Sequence, residues 1–251
     1  AIAYSSFAIA IISFFVWLHH MFVSGISETA AAIFSFLTML VAIPTAIKVF
    51  NWLATLYKSS IEFHSSMLYA LGFLFLFTIG GLTGVYLGSL AINVHLHDTY
   101  FVVAHMHYVM IGGTVMAFFG ALHFWYQKWF GRVFNELIAK VSWFLIFIGF
   151  NVTFFPQFFM GYQGMPRRYA TYPAEFESLH ALSTYGTWIL AIGMIIMTIN
   201  LIAGLFSAKR PESPNPYNSL SLEWQVPSPP AHNNFDEIPV VTDWTYAYGK
   251  K

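Results

Sequence analysis

The sequence contains no cysteine among its 251 residues. This absence excludes disulfide bonds, thiolate metal sites and iron–sulfur clusters held by the chain itself. Charged residues are also scarce, because Asp, Glu, Lys and Arg make up only 9% of the chain and balance to zero net charge. No basic surface for nucleic acid is therefore expected. Any metal bound here must be held by histidine, carboxylate, methionine or a cofactor ring.

Apolar residues are abundant instead. The chain is 57% hydrophobic and 20% aromatic, with a mean hydropathy of +0.62. A water-soluble domain of this length needs no such excess, so the sequence predicts an all-α, polytopic membrane helix bundle. The apolar stretches of about 20 residues or more predict six membrane helices, at 2–23, 30–56, 67–91, 100–126, 141–160 and 179–206.

The chain is predicted to consist of a transmembrane portion, 1–207, and an extended tail rich in Pro, Ser and Asn, 208–251. The positive-inside rule places the tail and both chain ends on the cytoplasmic or matrix side. The basic residues on that side are Lys58, Lys128, Arg132, Lys140, Lys209, Arg210, Lys250 and Lys251. The chain begins Ala-Ile-Ala-Tyr, without Met or a basic leader, so we expect a true first span within a longer polypeptide.

Residues 95–107 contain four of the ten histidines and lead directly into the fourth predicted span. His105 and His107 fall about one helical turn inside that span. At about 100° per residue, residues two apart point roughly 200° apart on a helix. These two imidazoles therefore cannot easily bind one metal, but each can serve a different centre on opposite sides of the helix.

His19 and His20 end the first span. They can be interfacial histidines near the headgroups, but ionisable groups inside spans are usually functional. Adjacent histidines can converge on one small ion, and imidazole ligation suits copper, zinc or iron. Two imidazoles form an incomplete site, so a third ligand must come from elsewhere.

Lys48 is the one basic residue in the middle of a predicted span. Thr45 shares its helix face, and Thr38 lies two further turns back on a similar side. Lys48 is either a structural lysine paired with a buried carboxylate or carbonyl, or part of a proton path in which water bridges it to the threonine hydroxyls.

Arg167 and Arg168 lie on the opposite side of the membrane from the other basic residues. Bidentate pairing with carboxylates, such as haem propionates, is the natural use of such a pair; a lipid-phosphate contact is the alternative. His97 and Asp98 suit a magnesium or manganese ion, or hydrogen bonds to the same propionates.

Five ordered motifs resemble subunit I of the haem–copper terminal oxidases, and the resemblance covers the C-terminal half of that subunit. The motifs are Trp17-Leu18-His19-His20-Met21-Phe22, Ala42-Ile43-Pro44-Thr45 through Lys48-Val49-Phe50-Asn51-Trp52-Leu53, Gly80-Gly81-Leu82-Thr83-Gly84, His97-Asp98-Thr99-Tyr100 through Val103-Ala104-His105, and Met165-Pro166-Arg167-Arg168-Tyr169. The resemblance implies six helices of a twelve-helix core that reduces O2 to water with electrons from cytochrome c and pumps protons.

The resemblance also implies the site residues. His19 and His20 would be two of the three copper ligands, His105 the axial ligand of the high-spin haem, and His107 an axial ligand of the low-spin haem. Lys48, Thr45 and Thr38 would line a proton channel. Arg167 and Arg168 would hold propionates, and His97 and Asp98 would approach magnesium or manganese. The cofactors expected are therefore two haems, of haem a type with haem o or b as the alternatives, and one copper.

The remaining ligands lie in the family's N-terminal half, on the same or a separate chain, which must pack against this one. Further expected partners are a copper-bearing electron-entry subunit, other oxidase subunits, and cytochrome c or a fused cytochrome. A menaquinol or quinol oxidase, a nitric-oxide reductase relative, a proton-coupled transporter and a structural subunit are the alternatives. The expected location is a bacterial cytoplasmic membrane, or alternatively the mitochondrial inner membrane.

Overall fold

A computed structural model describes residues 1–235 and 237–240. Helices dominate this part of the chain, and one isolated bridge joins Thr99 to Pro166. The α-helices are α1 (Ile2–Phe14), α2 (Glu28–Leu40), α3 (Ala42–Leu56), α4 (Ser65–Gly88), α5 (Leu90–Leu96), α6 (Tyr100–Val109), α7 (Met116–Phe130), α8 (Glu136–Tyr162) and α9 (Glu177–Phe206).

Six helical stretches of the described chain are long and apolar enough to cross a membrane, which confirms the predicted all-α membrane bundle. They are Ile2–Met21, Glu28–Leu56, Ser65–Gly88, Tyr100–Phe130, Glu136–Tyr162 and Ala174–Phe206. The predicted spans agree with these stretches to within a few residues at each end. The exceptions are the predicted spans 141–160 and 179–206, which begin five residues after the observed stretches do.

Three of these stretches are interrupted. The first passes from α1 into a 3₁₀ helix, Trp17–Met21. The second breaks at Val41 between α2 and α3, where Pro44 is accommodated because the first turn of a helix needs no amide donor. A π-helical segment, Met110–Val115, separates α6 from α7. Such segments often occur at functional sites, and the first and third of them adjoin the histidines of interest.

The buried core lies among α4, α6, α7, α8 and α9. Its members include Tyr69 and Leu76 of α4, Tyr108 of α6 and Phe150 of α8, all fully enclosed. Gly161 of α8 lies directly against the backbone of Phe101 at the start of α6. A side chain there would overlap that backbone, so the glycine allows the two helices to touch, as small residues do in membrane bundles. This contact fixes the position of α6.

The first two spans, in contrast, bury little of their surface. In the first and second spans 11% of the most apolar window is buried, compared with 39% in Glu136–Tyr162. Large side chains such as Phe14, Phe36 and Phe50 stand exposed along α1, α2 and α3. These helices therefore present an apolar face without a partner among the described residues.

The described part of the tail folds back onto α7. Tyr217 stacks on Phe124 with ring centres 4.5 Å apart, and burial raises the pKa of its phenol. Trp224 is 1% exposed. Lys128 donates to the carbonyl of Val226 at 2.8 Å, and its Nζ lies 4.9 Å from the centre of the Trp224 ring. The predicted tail extends to 251, and Lys250 and Lys251 lie outside the described residues.

Lys128→Met is expected to release this tail. The substitution removes a buried charged hydrogen bond worth about 1.5–3 kcal/mol, so local opening should become at least about tenfold more frequent. Limited proteolysis of the purified complex measures it, as faster cleavage within 211–235. Lys209→Met is the control, since the only hydrogen bond found for Lys209 is made by its backbone amide. Equal cleavage rates in both variants would contradict the prediction.

Candidate functional site

His19 and His20 lie together on the 3₁₀ helix, Trp17–Met21. Their Nε2 atoms are 3.0 Å apart, and their ring centres 4.2 Å. The tighter 3₁₀ turn brings both rings to one side of the chain. Nδ1 of His19 lies 3.2 Å from the hydroxyl of Thr38 on α2. This hydroxyl fixes the orientation of the His19 ring.

This pair suits one metal ion. Two ligand nitrogens about 2 Å from a common ion can be 3.0 Å apart when the ligands are neighbours in its coordination shell. The hydrogen bond at Nδ1 of His19 leaves Nε2 for the ion, the usual arrangement of a ligating histidine. No group of three or more His, Asp or Glu side chains that could hold a metal occurs in the described chain. The pair can thus provide two of the ligands that a metal ion needs.

His105 is oriented by α4. Its Nδ1 lies 3.0 Å from the carbonyl of Gly80 and 3.1 Å from the hydroxyl of Thr83. A backbone carbonyl can only accept, so Nδ1 carries the proton and Nε2 keeps its lone pair. Gly84 contributes space, because a Cβ at that position would lie 2.8 Å from Cε1 of His105. One turn of α4 thus fixes the tautomer, the orientation and the position of this imidazole.

His107 faces another helix. Its Nδ1 donates to the carbonyl of Val103 at 2.7 Å, which again leaves Nε2 free. Its ring stacks on Phe154 of α8, with centres 4.0 Å apart and planes 16° apart. Among the hydrogen bonds of the described residues none involves Nε2 of His105 or His107. α6 therefore places the His105 ring against α4 and the His107 ring beside α8, in the different directions that the helical angle predicts.

α4 also links His105 to the histidine pair. Gly84 and Gly88 are four residues apart and share one face of α4. Gly84 lies against His105, and a Cβ on Gly88 would lie 3.1 Å from Cγ2 of Thr38. Thr38 in turn contacts His19. The pair and His105 are therefore on the same side of α4, offset by about one helical turn, roughly 6 Å along the axis.

Asp98 and Arg167 meet at the loop end of α6. The guanidinium pairs with Oδ1 of Asp98 at 2.5 Å, and the Arg167 amide donates to the Asp98 carbonyl at 2.8 Å. Nε2 of His97 lies 3.5 Å from Oδ2 of Asp98. Arg168 is exposed, with a left-handed φ of 67°. Nε of Arg167 is buried without a hydrogen-bond partner, so this side chain can still donate to another anion.

Lys48 lies on α3, partly exposed, with its Nζ 5.4 Å from the centre of the Trp52 ring. No ion pair of Lys48 occurs in the described chain. Thr45 and Thr38 each donate to a carbonyl four residues earlier. Thr45 lies three residues before Lys48 on α3, and Thr38 lies on α2, on the other side of Val41, whose backbone remains helical. Thr38 lies next to His19. About ten residues, or roughly 15 Å along a helix, separate it from Lys48.

Sequence reasoning did not identify the three positions on α4 that hold His105. In the sequence, Gly80-Gly81-Leu82-Thr83-Gly84 serves only as one of the five motifs that carry the oxidase resemblance. The four-residue spacing of Gly80, Gly84 and Gly88 is the signal that was available. It predicts a strip of small residues along which another helix can approach closely.

The fold and these contacts define a helical membrane protein in which the partly buried His105 and His107 keep Nε2 free of hydrogen bonds. Residues 1–196 match the profile of the family described as Cytochrome C and Quinol oxidase polypeptide I. The chain belongs to this family.

Individual relatives support the same family assignment. Cytochrome c oxidase subunit 1 of Synechocystis sp. is 46% identical over 99% of this chain and 45% of its own length. Quinol oxidase subunit 1 of Bacillus spizizenii is 44% identical over 94% of this chain and 37% of its own length. A cryo-EM structure of a heme-copper terminal oxidase dimer aligns with a TM-score of 0.68 and 25% identity, covering 78% of this chain and 40% of that one. The chain thus spans less than half the length of these relatives.

Proposed function

We propose that the chain forms the C-terminal half of the catalytic subunit of a proton-pumping haem–copper oxygen reductase. The observation that carries the proposal is the arrangement around α4 and α6. Two convergent imidazoles, His19 and His20, lie on the same side of α4 as His105, and His107 faces away beside α8. When bound, copper and two haems would supply the electron transfer and the reduction of O2 to water.

The described side chains fit these groups. His19 and His20 hold Nε2 atoms 3.0 Å apart for copper. His105 would hold the high-spin haem, because its Nδ1 proton is taken by Gly80 and Nε2 is the nitrogen left to ligate. His107 would hold the low-spin haem in the same way. With both ligands on one helix, the two rings would lie close together, which favours electron transfer between them.

Arg167 and Arg168 would hold haem propionates at the loop end of α6. The support is the buried Nε of Arg167, which lacks an acceptor. The guanidinium is already paired with Asp98, which orients Arg167. Asp98 also lies next to His97. A magnesium or manganese ion at His97 and Asp98 would need its remaining ligands from other parts of the complex.

The partner of this chain would be the N-terminal half of subunit I. It would cover the apolar face of α1, α2 and α3, and would bring the third copper ligand and the second axial ligand of the low-spin haem. A copper-bearing electron-entry subunit and other oxidase subunits would complete the assembly. We propose haem a at both sites, a bacterial cytoplasmic membrane, inner-face chain ends, and a transmembrane portion at 1–207 followed by an inner-face tail.

Cytochrome c is the proposed electron donor, because the motif His97-Asp98-Thr99-Tyr100 resembles cytochrome c oxidases. A quinol is the second candidate. The chain is 44% identical to a quinol oxidase subunit 1, which is close to its identity with the cytochrome c oxidase relatives. This similarity supports quinol as an alternative donor. Steady-state O2 consumption by the purified complex with reduced cytochrome c or with a reduced quinol distinguishes the two donors.

A reduced-minus-oxidised spectrum of the purified complex, with and without carbon monoxide, tests the proposal together with copper and iron analysis. Two haems, of which one binds carbon monoxide, plus copper are expected. Non-haem iron in place of copper would indicate a nitric-oxide reductase relative, and a complex without haem would leave only the transporter or structural alternatives.

Lys48→Met is expected to slow proton delivery without removing any metal. Loss of a positioned proton-transfer group costs roughly 10²-fold in rate, while the haem spectrum and copper content should remain those of the wild type. The measurement is O2 turnover of the purified complex. Lys58→Met, which removes a charge beyond the end of α3, is the control. Unchanged turnover in Lys48→Met would assign Lys48 a structural role.

A further inference from the structure

A cavity of about 970 Å³ lies far along the chain from the histidine site. It is open to solvent on one side and is lined by the end of α7, the start of α8, the end of α9 and the tail segment 207–218. Nothing in the proposed oxygen chemistry uses this cavity. Its walls combine positive charge, a buried unpaired nitrogen and an apolar rim.

Three basic side chains, Arg132, Lys209 and Arg210, line the cavity. Arg132 donates to the carbonyl of Ser207 at 2.6 Å, and Arg210 donates to the carbonyl of Gly131 at 3.2 Å. These contacts orient the guanidinium groups but leave their charges uncompensated, since no ion pair of the three occurs in the described chain.

The acidic residues of the wall do not cancel this charge. The carboxylate of Glu136 accepts two hydrogen bonds from Ser65 and lies 3.8 Å from Nζ of Lys140. It is therefore already compensated. Glu212, the other acidic residue of the wall, is exposed to solvent, as are Lys209 and Arg210. Screening therefore weakens these three charges alike, and the basic side chains still outnumber the uncompensated carboxylate.

His123 adds a polar group to the wall of the cavity. Its side chain is 2% exposed, and Nδ1 donates to the carbonyl of Phe119 at 2.7 Å. Nε2 is buried and has no hydrogen-bond partner. A neutral imidazole with its proton on Nδ1 can only accept at Nε2. This nitrogen therefore requires a hydroxyl or another donor, which a phosphate diester alone does not provide.

The rim is apolar. Leu137 and Ile138, in the first turn of the membrane helix α8, are 72% and 41% exposed and both border the cavity. A soluble anion gains nothing from such a rim, whereas acyl chains do. The cavity thus joins an exposed apolar edge on a predicted membrane helix to a basic wall.

We propose that this cavity binds an anionic phospholipid whose headgroup carries free hydroxyls, of the phosphatidylglycerol class. Its phosphate would accept hydrogen bonds from Arg132, Lys209 and Arg210, as basic pockets between membrane helices do for anionic headgroups. A headgroup hydroxyl would donate to Nε2 of His123, and the acyl chains would cover Leu137 and Ile138.

The test measures lipid binding to the purified complex in detergent, by titration with spin-labelled phosphatidylglycerol. Lys209→Gln is the cleanest variant, because this side chain makes no hydrogen bond in the described structure. It should weaken binding about fivefold, the effect expected for one basic residue. Lys58→Gln, which removes the same charge outside the cavity, should leave binding unchanged.

His123→Phe tests the hydroxyl separately. It should weaken binding of phosphatidylglycerol but not of phosphatidylmethanol, which has the same charge and no free hydroxyl. Equal affinity of the wild type for both lipids, or equal effects of Lys209→Gln and Lys58→Gln, would overturn the proposal. Displacement of the lipid by millimolar inorganic phosphate would also overturn it, in favour of a site for soluble phosphate.

Discussion

His105→Ala should abolish O2 reduction and carbon monoxide binding while a low-spin haem signal remains, and His107→Ala should remove the low-spin signal instead. The reason is the geometry of α6. Nε2 of His105 is presented on the side of α4, where the carbonyl of Gly80 fixes its tautomer. His107 is held beside α8 by Val103 and Phe154. Each substitution would therefore remove the proposed ligand of one centre only.

Optical spectra of the two purified variants, recorded with and without carbon monoxide, are the measurement. His95→Ala is the matched control, because His95 is exposed on α5 and has no proposed role; both haems should remain in it. Identical spectral losses in His105→Ala and His107→Ala would refute the assignment of the two histidines to different centres.

Gly84→Ala is expected to displace the His105 ring and so to lower occupancy of the high-spin site. The added Cβ would lie 2.8 Å from Cε1 of His105, a distance at which the ring must move. Movement breaks its contacts with Gly80 and Thr83. Loss of such supporting contacts typically costs 10- to 100-fold in metal affinity or activity, and we expect about that loss of turnover.

Gly81→Ala provides the control for this substitution. Gly81 lies on the same helix, three residues before Gly84, and a Cβ there would meet nothing within 4 Å. The two variants share the same chemical change and nearly the same effect on helix propensity. Carbon monoxide binding per complex and O2 turnover should fall in Gly84→Ala alone. A parallel fall in both would mean that helix stability, rather than the position of the His105 ring, is affected.

Much of this fold is determined by patterns that are local in the sequence. Long apolar stretches locate the six membrane helices because the bilayer requires about 20 residues per span. The two-residue spacing of His105 and His107 gives their opposite directions because helix geometry is regular. Pro44 indicates an interruption of the second span, and α3 begins close to it, at Ala42. The interruptions of the first and fourth spans were not predicted. The 3₁₀ turn at Trp17–Met21 and the π-helical segment at Met110–Val115 depend on packing against neighbouring helices, which hydropathy does not contain.

The supporting contacts of the site are also invisible to local patterns. Asp98 and Arg167 are far apart in sequence, and only the folded loops bring the carboxylate to the guanidinium. Gly84 is required because His105 of another helix occupies the space beside it. The ligand assignments themselves came from the resemblance to the oxidases, and they remain predictions until the variants described above are measured.

The glycine strip of α4 has a mechanical consequence. Thr38, which orients His19, and His105 both rest on this one helix, at Gly88 and Gly84. The rise per residue along an α-helix is nearly constant. The separation between packed membrane helices, in contrast, changes with temperature and with bilayer thickness. A lateral displacement of α4 would carry both contacts with it. The distance between the histidine pair and His105 is thus set by the geometry of a single helix. It should vary less than the distances between helices when the surrounding membrane changes.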